Sequence, residues 1–88
     1  MPAWTLTLKR SALDDLRRLP KDARGRAAMA VLELCDDPFR PNVEKLRGFS
    51  QTFRLRVGDY RILYEVSGGE VVILGVRDRK DVYRQLGR

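Results

Sequence analysis

Between Thr52 and Val66 the chain alternates apolar and polar residues almost one by one. Phe53, Leu55 and Val57 fall to one side, and Thr52, Arg54 and Arg56 to the other. Beyond Gly58-Asp59, Tyr60, Ile62, Tyr64 and Val66 alternate against Arg61, Leu63 and Glu65. A side-chain period of two predicts two β-strands. Gly58-Asp59 predicts a two-residue type II′ turn, because glycine at the first central position supplies the positive φ. That turn pairs Val57 with Tyr60, Leu55 with Ile62 and Phe53 with Tyr64, an apolar cross-strand face. On the reverse face it sets Arg56 opposite Arg61, with Arg54 two residues along.

The flanking segments follow other periods. Trp4, Leu6 and Leu8 alternate with Thr5 and Thr7, which predicts a first strand over Ala3–Leu8. Ser11, with Asp14 three residues on, has the spacing of a helix cap. A short helix is expected behind it, with Ala12, Leu13, Leu16 and Leu19 as its stripe. Pro20 suits the first position of a second helix. Ala23, Ala27, Val31, Leu34 and Cys35 extend that helix to about Asp36, where Asp37-Pro38 and Arg40-Pro41 stop it. Residues 40–51 read as a loop. A second turn at Gly68-Gly69 leads into Val71–Val76, apolar on both faces and therefore an interior strand. Asp78 to Asp81 suits another cap, with a terminal turn or short helix behind it. The whole, residues 1–88, is expected to form one α+β domain. Two N-terminal helices form an αα-hairpin on one face of a mainly antiparallel four-stranded sheet, in the order β-α-α-β-β-β.

Composition narrows the chemistry. The 88 residues contain no histidine and one cysteine, Cys35. This excludes histidine acid–base catalysis, Ser-His-Asp chemistry, and histidine- or thiolate-rich metal sites. A lone cysteine and a start that leads directly into alternating residues suit a cytoplasmic protein without a signal peptide. No apolar run approaches membrane-spanning length. The net charge is +6. Residues 1–44 carry eight basic side chains against seven acidic ones, while residues 45–88 carry ten against five. The excess thus belongs to the sheet half, as for a protein that meets a nucleic acid or an acidic partner. Like charges facing each other across a ladder oppose folding. Three arginines on one sheet face fit a polyanion site, and a solvated face in a basic chain fits them equally.

An ordered set of motifs resembles the RelE toxins of the RelE/ParE superfamily. The set comprises Leu16-Arg-Arg-Leu19-Pro20, Lys45-Leu-Arg-Gly48, Phe53-Arg-Leu-Arg-Val57, Gly58-Asp-Tyr-Arg-Ile-Leu-Tyr-Glu65 and Val76-Arg-Asp-Arg-Lys-Asp-Val-Tyr83. The resemblance implies a small cytoplasmic endoribonuclease that cuts mRNA on the ribosome and is silenced by a cognate, RelB-like antitoxin. It implies no cofactor, no metal and no membrane. Arg54, Arg56, Arg61, Arg77 and Tyr83 fall at the family's catalytic positions. Arg47 matches an RNA-backbone contact, and Lys45, Arg79 and Lys80 are further candidates for contact with RNA. The chemistry implied is attack of a ribose 2′-OH on the adjacent phosphodiester. It calls for charge stabilisation on phosphorus and in-line geometry, with no protein nucleophile.

Two features set this chain apart from the pattern. Well-known RelE enzymes use lysines on the first hairpin strand, where Arg54 and Arg56 stand here, and arginine is a poor general base. Ribosomal RNA groups, a displaced proton on Arg54, or Tyr83 are the candidates for that role. Unbroken register from the Gly68-Gly69 turn would also pair Tyr60 with Arg77, on the face away from the other arginines. A bulge at Gly75, or a chain that curls after Val76, would bring Arg77 round. A ParE-like DNA gyrase inhibitor without nuclease activity shares the fold and is the alternative. A non-enzymatic nucleic-acid-binding module is the third reading.

Overall fold

The hairpin of β3 (Thr52–Val57) and β4 (Tyr60–Ser67) forms with the register its alternation dictates: Val57 opposite Tyr60, Arg56 opposite Arg61, Leu55 opposite Ile62 and Phe53 opposite Tyr64. Gly58 has φ 59°, and Asp59 is not in the left-handed region, as a type II′ turn requires. The computed structural model describes residues 4–78. Beyond β4, Gly68 (φ 57°) and Gly69 (φ 79°) make a second tight turn into β5 (Glu70–Asp78). Both central residues there have positive φ, the type I′ pattern.

Around this meander lie β1 (Thr5–Leu8), α1 (Arg10–Arg18), α2 (Lys21–Leu34) and β2 (Val43–Lys45). The sheet order is β1-β5-β4-β3-β2, and β1 runs parallel to β5. The architecture is α+β, with five strands where the sequence predicts four. The extra strand, β2, lies within the expected loop over residues 40–51 and pairs antiparallel with β3. Three residues are too few for a period of two to register, so β2 exists by virtue of its partner. As expected, β5 lies inside the sheet, between β1 and β4. The expected terminal turn or helix after Asp81 lies outside the described residues.

The helices pack on one face. Ala12 and Leu16 of α1 and Ala27, Ala30, Val31 and Leu34 of α2 meet Leu55, Ile62, Tyr64, Val66, Val71, Ile73 and Val76 in one core. Burial of each large aliphatic side chain contributes roughly 1.5–3 kcal/mol. Arg24 of α2 donates from Nη2 to the carbonyls of Arg17 and Leu19, 3.3 and 3.2 Å away. It thereby satisfies acceptors left open at the end of α1 and locks the two helices together. Local details depart from the sequence expectation. Leu13 is exposed, whereas the buried residues of α1 are Ala12 and Leu16. Pro20 is the N-cap of α2, one residue before the expected position. Ser11 lies inside α1, and its hydroxyl donates to the Leu74 carbonyl at 2.6 Å, so it does not cap the helix.

Tyr64 is wholly buried, and its hydroxyl donates to the Pro38 carbonyl at 2.6 Å. Phe53 stacks on its ring, Phe39 meets Phe53 edge-on, and Trp4 meets Phe39 edge-on. The tie between Tyr64 and Pro38 fixes the segment that leaves α2. Burial first, then the Asp37 carboxylate, push the Tyr64 phenol above its ordinary value, against a smaller pull from Arg40. The folded state therefore keeps this proton to higher pH than the unfolded chain. Stability linked to Tyr64 is intact below about pH 10 and falls as pH rises beyond it. Tyr64→Phe should lower the unfolding free energy by about 1–2 kcal/mol at neutral pH. It should also flatten the alkaline decline, as measured by urea titrations at neutral and alkaline pH.

Candidate nucleic-acid interface

Because the helices cover the Leu55/Ile62/Tyr64 face, alternation leaves Arg54, Arg56 and Arg61 on the other, which no described element covers. Arg77 joins them through one irregularity. Between Leu63 and Tyr64 the pairing of β4 with β5 shifts by a residue: Tyr64 faces Ile73, whereas Leu63 faces Gly75. Leu74 is the extra residue, so of the two expected routes, a bulge at Gly75 or a curl after Val76, a bulge forms, one residue before Gly75. Past it, Tyr60 faces Asp78 and Arg61 faces Arg77. Arg56, Arg61 and Arg77 thus occupy one row across three neighbouring strands, roughly 10 Å from end to end at ordinary strand spacing. The II′ turn makes Val57–Tyr60 a hydrogen-bonded pair, so Arg56 and Arg61 form the closer, non-hydrogen-bonded kind.

The four arginines differ in their partners. Arg54 Nη2 lies 3.3 Å from Glu44 Oε2, the residue opposite it on β2. Its Nε is buried with no hydrogen-bond partner. Arg77 Nη1 donates to Asp15 Oδ2 of α1, and that oxygen also accepts the Val76 N–H at 2.9 Å. Arg61 Nη1 donates to the Tyr60 carbonyl at 3.1 Å, and Arg56 is exposed. Among the described residues, the ion pairs involving these four arginines are Arg54–Glu44 and Arg77–Asp15. Among the described residues no ion pair involves Arg56 or Arg61, and a polyanion is attracted to that pair most strongly.

The other candidates fall elsewhere. Lys45 faces Phe53 across the β2–β3 ladder, so it shares the helix-side face and not that of Arg54. Arg47 is exposed in the turn that follows β2, where Gly48 has φ 85°. Arg79, Lys80 and Tyr83 lie outside the described residues. Among the described residues no cluster of three or more His, Cys, Asp or Glu is arranged to hold a metal ion. No described helix is long and apolar enough to cross a membrane.

Sequence reasoning misses Glu44 and Asp15. A chain of 88 residues with 12 acidic side chains gives no reason to choose these two. The only local sign is that Ser11 and Asp15 stand four residues apart, on one side of α1. The facing of Arg56 and Arg61 has a measurable consequence. Arg56→Thr should raise the unfolding free energy by up to about 1 kcal/mol at low salt, with the gain shrinking as salt screens the repulsion. The same variant should elute from heparin at lower salt than the wild type.

Comparison with known proteins places this geometry. The sequence model of the family described as the ParE toxin of the type II toxin–antitoxin system parDE matches residues 6–83. Toxin RelG of Mycobacterium tuberculosis is 35% identical over 89 residues, covering 93% of this chain and 98% of that protein. Toxin RelE3 of Methanocaldococcus jannaschii is 31% identical over 74 residues, covering 78% of this chain and 83% of that protein. The crystal structure of the toxin–antitoxin complex RelBE2 from M. tuberculosis contains a chain that superposes with a TM-score of 0.77 at 31% identity. The match covers 88% of this chain and 99% of that one. With its two helices packed on one face of the sheet and its residues matched almost end to end, the chain belongs to the RelE/ParE family of type II toxin–antitoxin toxins.

Proposed function

We propose that this protein is an endoribonuclease that cuts mRNA on the ribosome, with a cognate antitoxin as its inhibitor. One observation carries the reading: Arg56, Arg61 and Arg77 stand in a single row on the sheet face away from the helix-covered core, with Arg54 beside them. The row supplies guanidinium forks where a phosphodiester gains charge. The ribose 2′-oxygen attacks phosphorus and loses its proton to a base. The bond from phosphorus to the 5′-oxygen breaks, and that oxygen takes up a proton. The products are a 2′,3′-cyclic phosphate and a 5′-hydroxyl. Arg56 and Arg61 bind the non-bridging oxygens, and the buried Nε of Arg54 gains the acceptor it lacks in the free protein. Arg77 closes the far end of the row.

Arginine keeps its charge in proteins, so none of the four takes the 2′ proton. That leaves Tyr83 or a group of the ribosomal RNA, which fits an enzyme that works on the ribosome. Arg47 adds positive charge beyond the row for contact with ribosomal or messenger RNA, with Lys45 reaching it only round the β2 edge, and Arg79 and Lys80 are further candidates by their charge. The antitoxin reading is supported by the relative RelBE2, whose structure is a toxin–antitoxin complex. A protein of net charge +6 suits an acidic partner.

Primer extension on translated mRNA, in cells induced to make the protein, tests the proposal. Cuts within codons are expected from the wild type, together with growth arrest. Arg61→Ala should abolish both, with a loss of at least 100-fold in cleavage rate on programmed ribosomes, in the range for removal of one preorganised charge-stabilising donor. Intact mRNA accompanied by double-strand DNA breaks would overturn the proposal in favour of a gyrase inhibitor.

A further inference from the structure

We infer that Asp15 and the bare backbone of Gly75 together form the device that aims Arg77, which makes Asp15 a positioning residue of the RNA-cleaving site. The inference rests on the proposed function for what Arg77 does, but on the geometry alone for how Arg77 is held.

The device starts from an interrupted sheet edge. β1 covers β5 only as far as Leu8 opposite Ile73, and the Lys9 N–H makes the last backbone bond to the Ile73 carbonyl, at 3.0 Å. Beyond that point α1 replaces the strand with side chains. Ser11 Oγ donates to the Leu74 carbonyl, and Asp15 Oδ2 accepts from the Val76 N–H one helical turn later. A neutral acceptor would satisfy the Val76 amide equally well. The carboxylate does more, because the same oxygen takes Arg77 Nη1 from a position 62 residues distant in sequence. Both side chains are sheltered, with Asp15 16% and Arg77 29% exposed, so solvent and salt screen the pair weakly.

Gly75 completes the arrangement. It faces Leu63 at the first paired position past the bulge, and its φ is not in the left-handed region, so its conformation does not demand glycine. Space does. A Cβ built there would lie 2.7 Å from Arg77 Nη1 and 3.0 Å from Asp15 Oδ2. The guanidinium and the carboxylate therefore meet directly over the backbone of residue 75, where any side chain would part them. The bulge decides the face on which Arg77 emerges, and the Asp15–Gly75 seat decides where its fork points. Among the described residues the fork is engaged only through Nη1, leaving Nε and Nη2 as donors for a phosphate.

The effect should appear in rate and not in affinity, because removal of the Asp15 charge leaves the surface more positive towards RNA. The test is single-turnover cleavage of mRNA on programmed ribosomes by the full chain and its Asp15→Asn, Gly75→Ala, Arg77→Ala and Asp15→Asn/Arg77→Ala variants. Asp15→Asn and Gly75→Ala should each lower the maximal rate tenfold or more, with half-saturating protein concentration within twofold of wild type. The double variant should be no slower than Arg77→Ala, since Asp15 acts through Arg77. Gly75→Ala should melt within a few degrees of wild type, because the atom in its way is the far end of a flexible side chain. Nitrogen-15 NMR of the Arg77 guanidinium supplies a readout independent of cleavage. Restricted side-chain rotation is expected in the wild type and free rotation in Asp15→Asn and Gly75→Ala. A wild-type rate in Asp15→Asn, additive losses in the double variant, or equal Arg77 mobility in wild type and Asp15→Asn would each overturn the inference. A wild type that leaves ribosome-bound mRNA intact refutes the nuclease proposal, and the NMR comparison then decides by itself whether Asp15 and Gly75 hold Arg77.

Discussion

Backbone register governs everything else in this fold. Two glycine turns, at Gly58 and at Gly68-Gly69, together with the bulge at Leu74, fix which residues of β3, β4 and β5 stand opposite one another. Side chains in a strand alternate between faces, so once register is set there is no further freedom about which go to the core. Leu55, Ile62, Tyr64, Val71, Ile73 and Val76 then share one surface, broad enough for both helices. The arginines take the other surface by the same rule. Their clustering is a by-product of parity, and the core supplies the energy that maintains it.

That clustering opposes folding. Three guanidiniums in adjacent strands repel, and a protein this small has little stability in reserve. The molecule limits the repulsion at the margins only. Glu44 stands beside Arg54 and Asp15 beside Arg77, while among the described residues no ion pair involves Arg56 or Arg61. An even scatter of carboxylates would make a more stable sheet and a weaker anion site. Under the proposed function, stability and binding pull in opposite directions across these strands, as they commonly do where charge is gathered for binding.

Much of this was legible in the chain because it depends on local period. The β3–β4 pairing, the two helices and the interior position of β5 all follow from alternation, helical spacing and turn glycines. Arg54, Arg56 and Arg61 were readable for that reason. Where the outcome depends on a distant partner, local pattern was silent. Val43–Lys45 becomes a strand only because β3 offers an edge. Leu13 looks like part of an apolar stripe, but Ala12 and Leu16 turn into the core and leave it exposed. Ser11 has the spacing of a cap, yet spends its hydroxyl on Leu74 across the fold. Asp15 and Glu44 look like any other acidic residues until the strands and α1 come together around them. The need for a bulge near Gly75 could be stated from parity, but its occurrence at Leu74 could not, since alternation on the apolar run 71–76 marks neither face.

The extra residue in β5 also bears on how relatives of this chain should be matched to it. On either side of Leu74, odd- and even-numbered positions exchange faces. An alignment that slides a one-residue gap past this point still looks plausible among so many valines and leucines, yet it equates residues that point in opposite directions. Homologous arginines near the end of this strand are therefore to be identified by superposed coordinates, and a substitution inherited through a shifted gap would be assigned to the wrong side of the sheet.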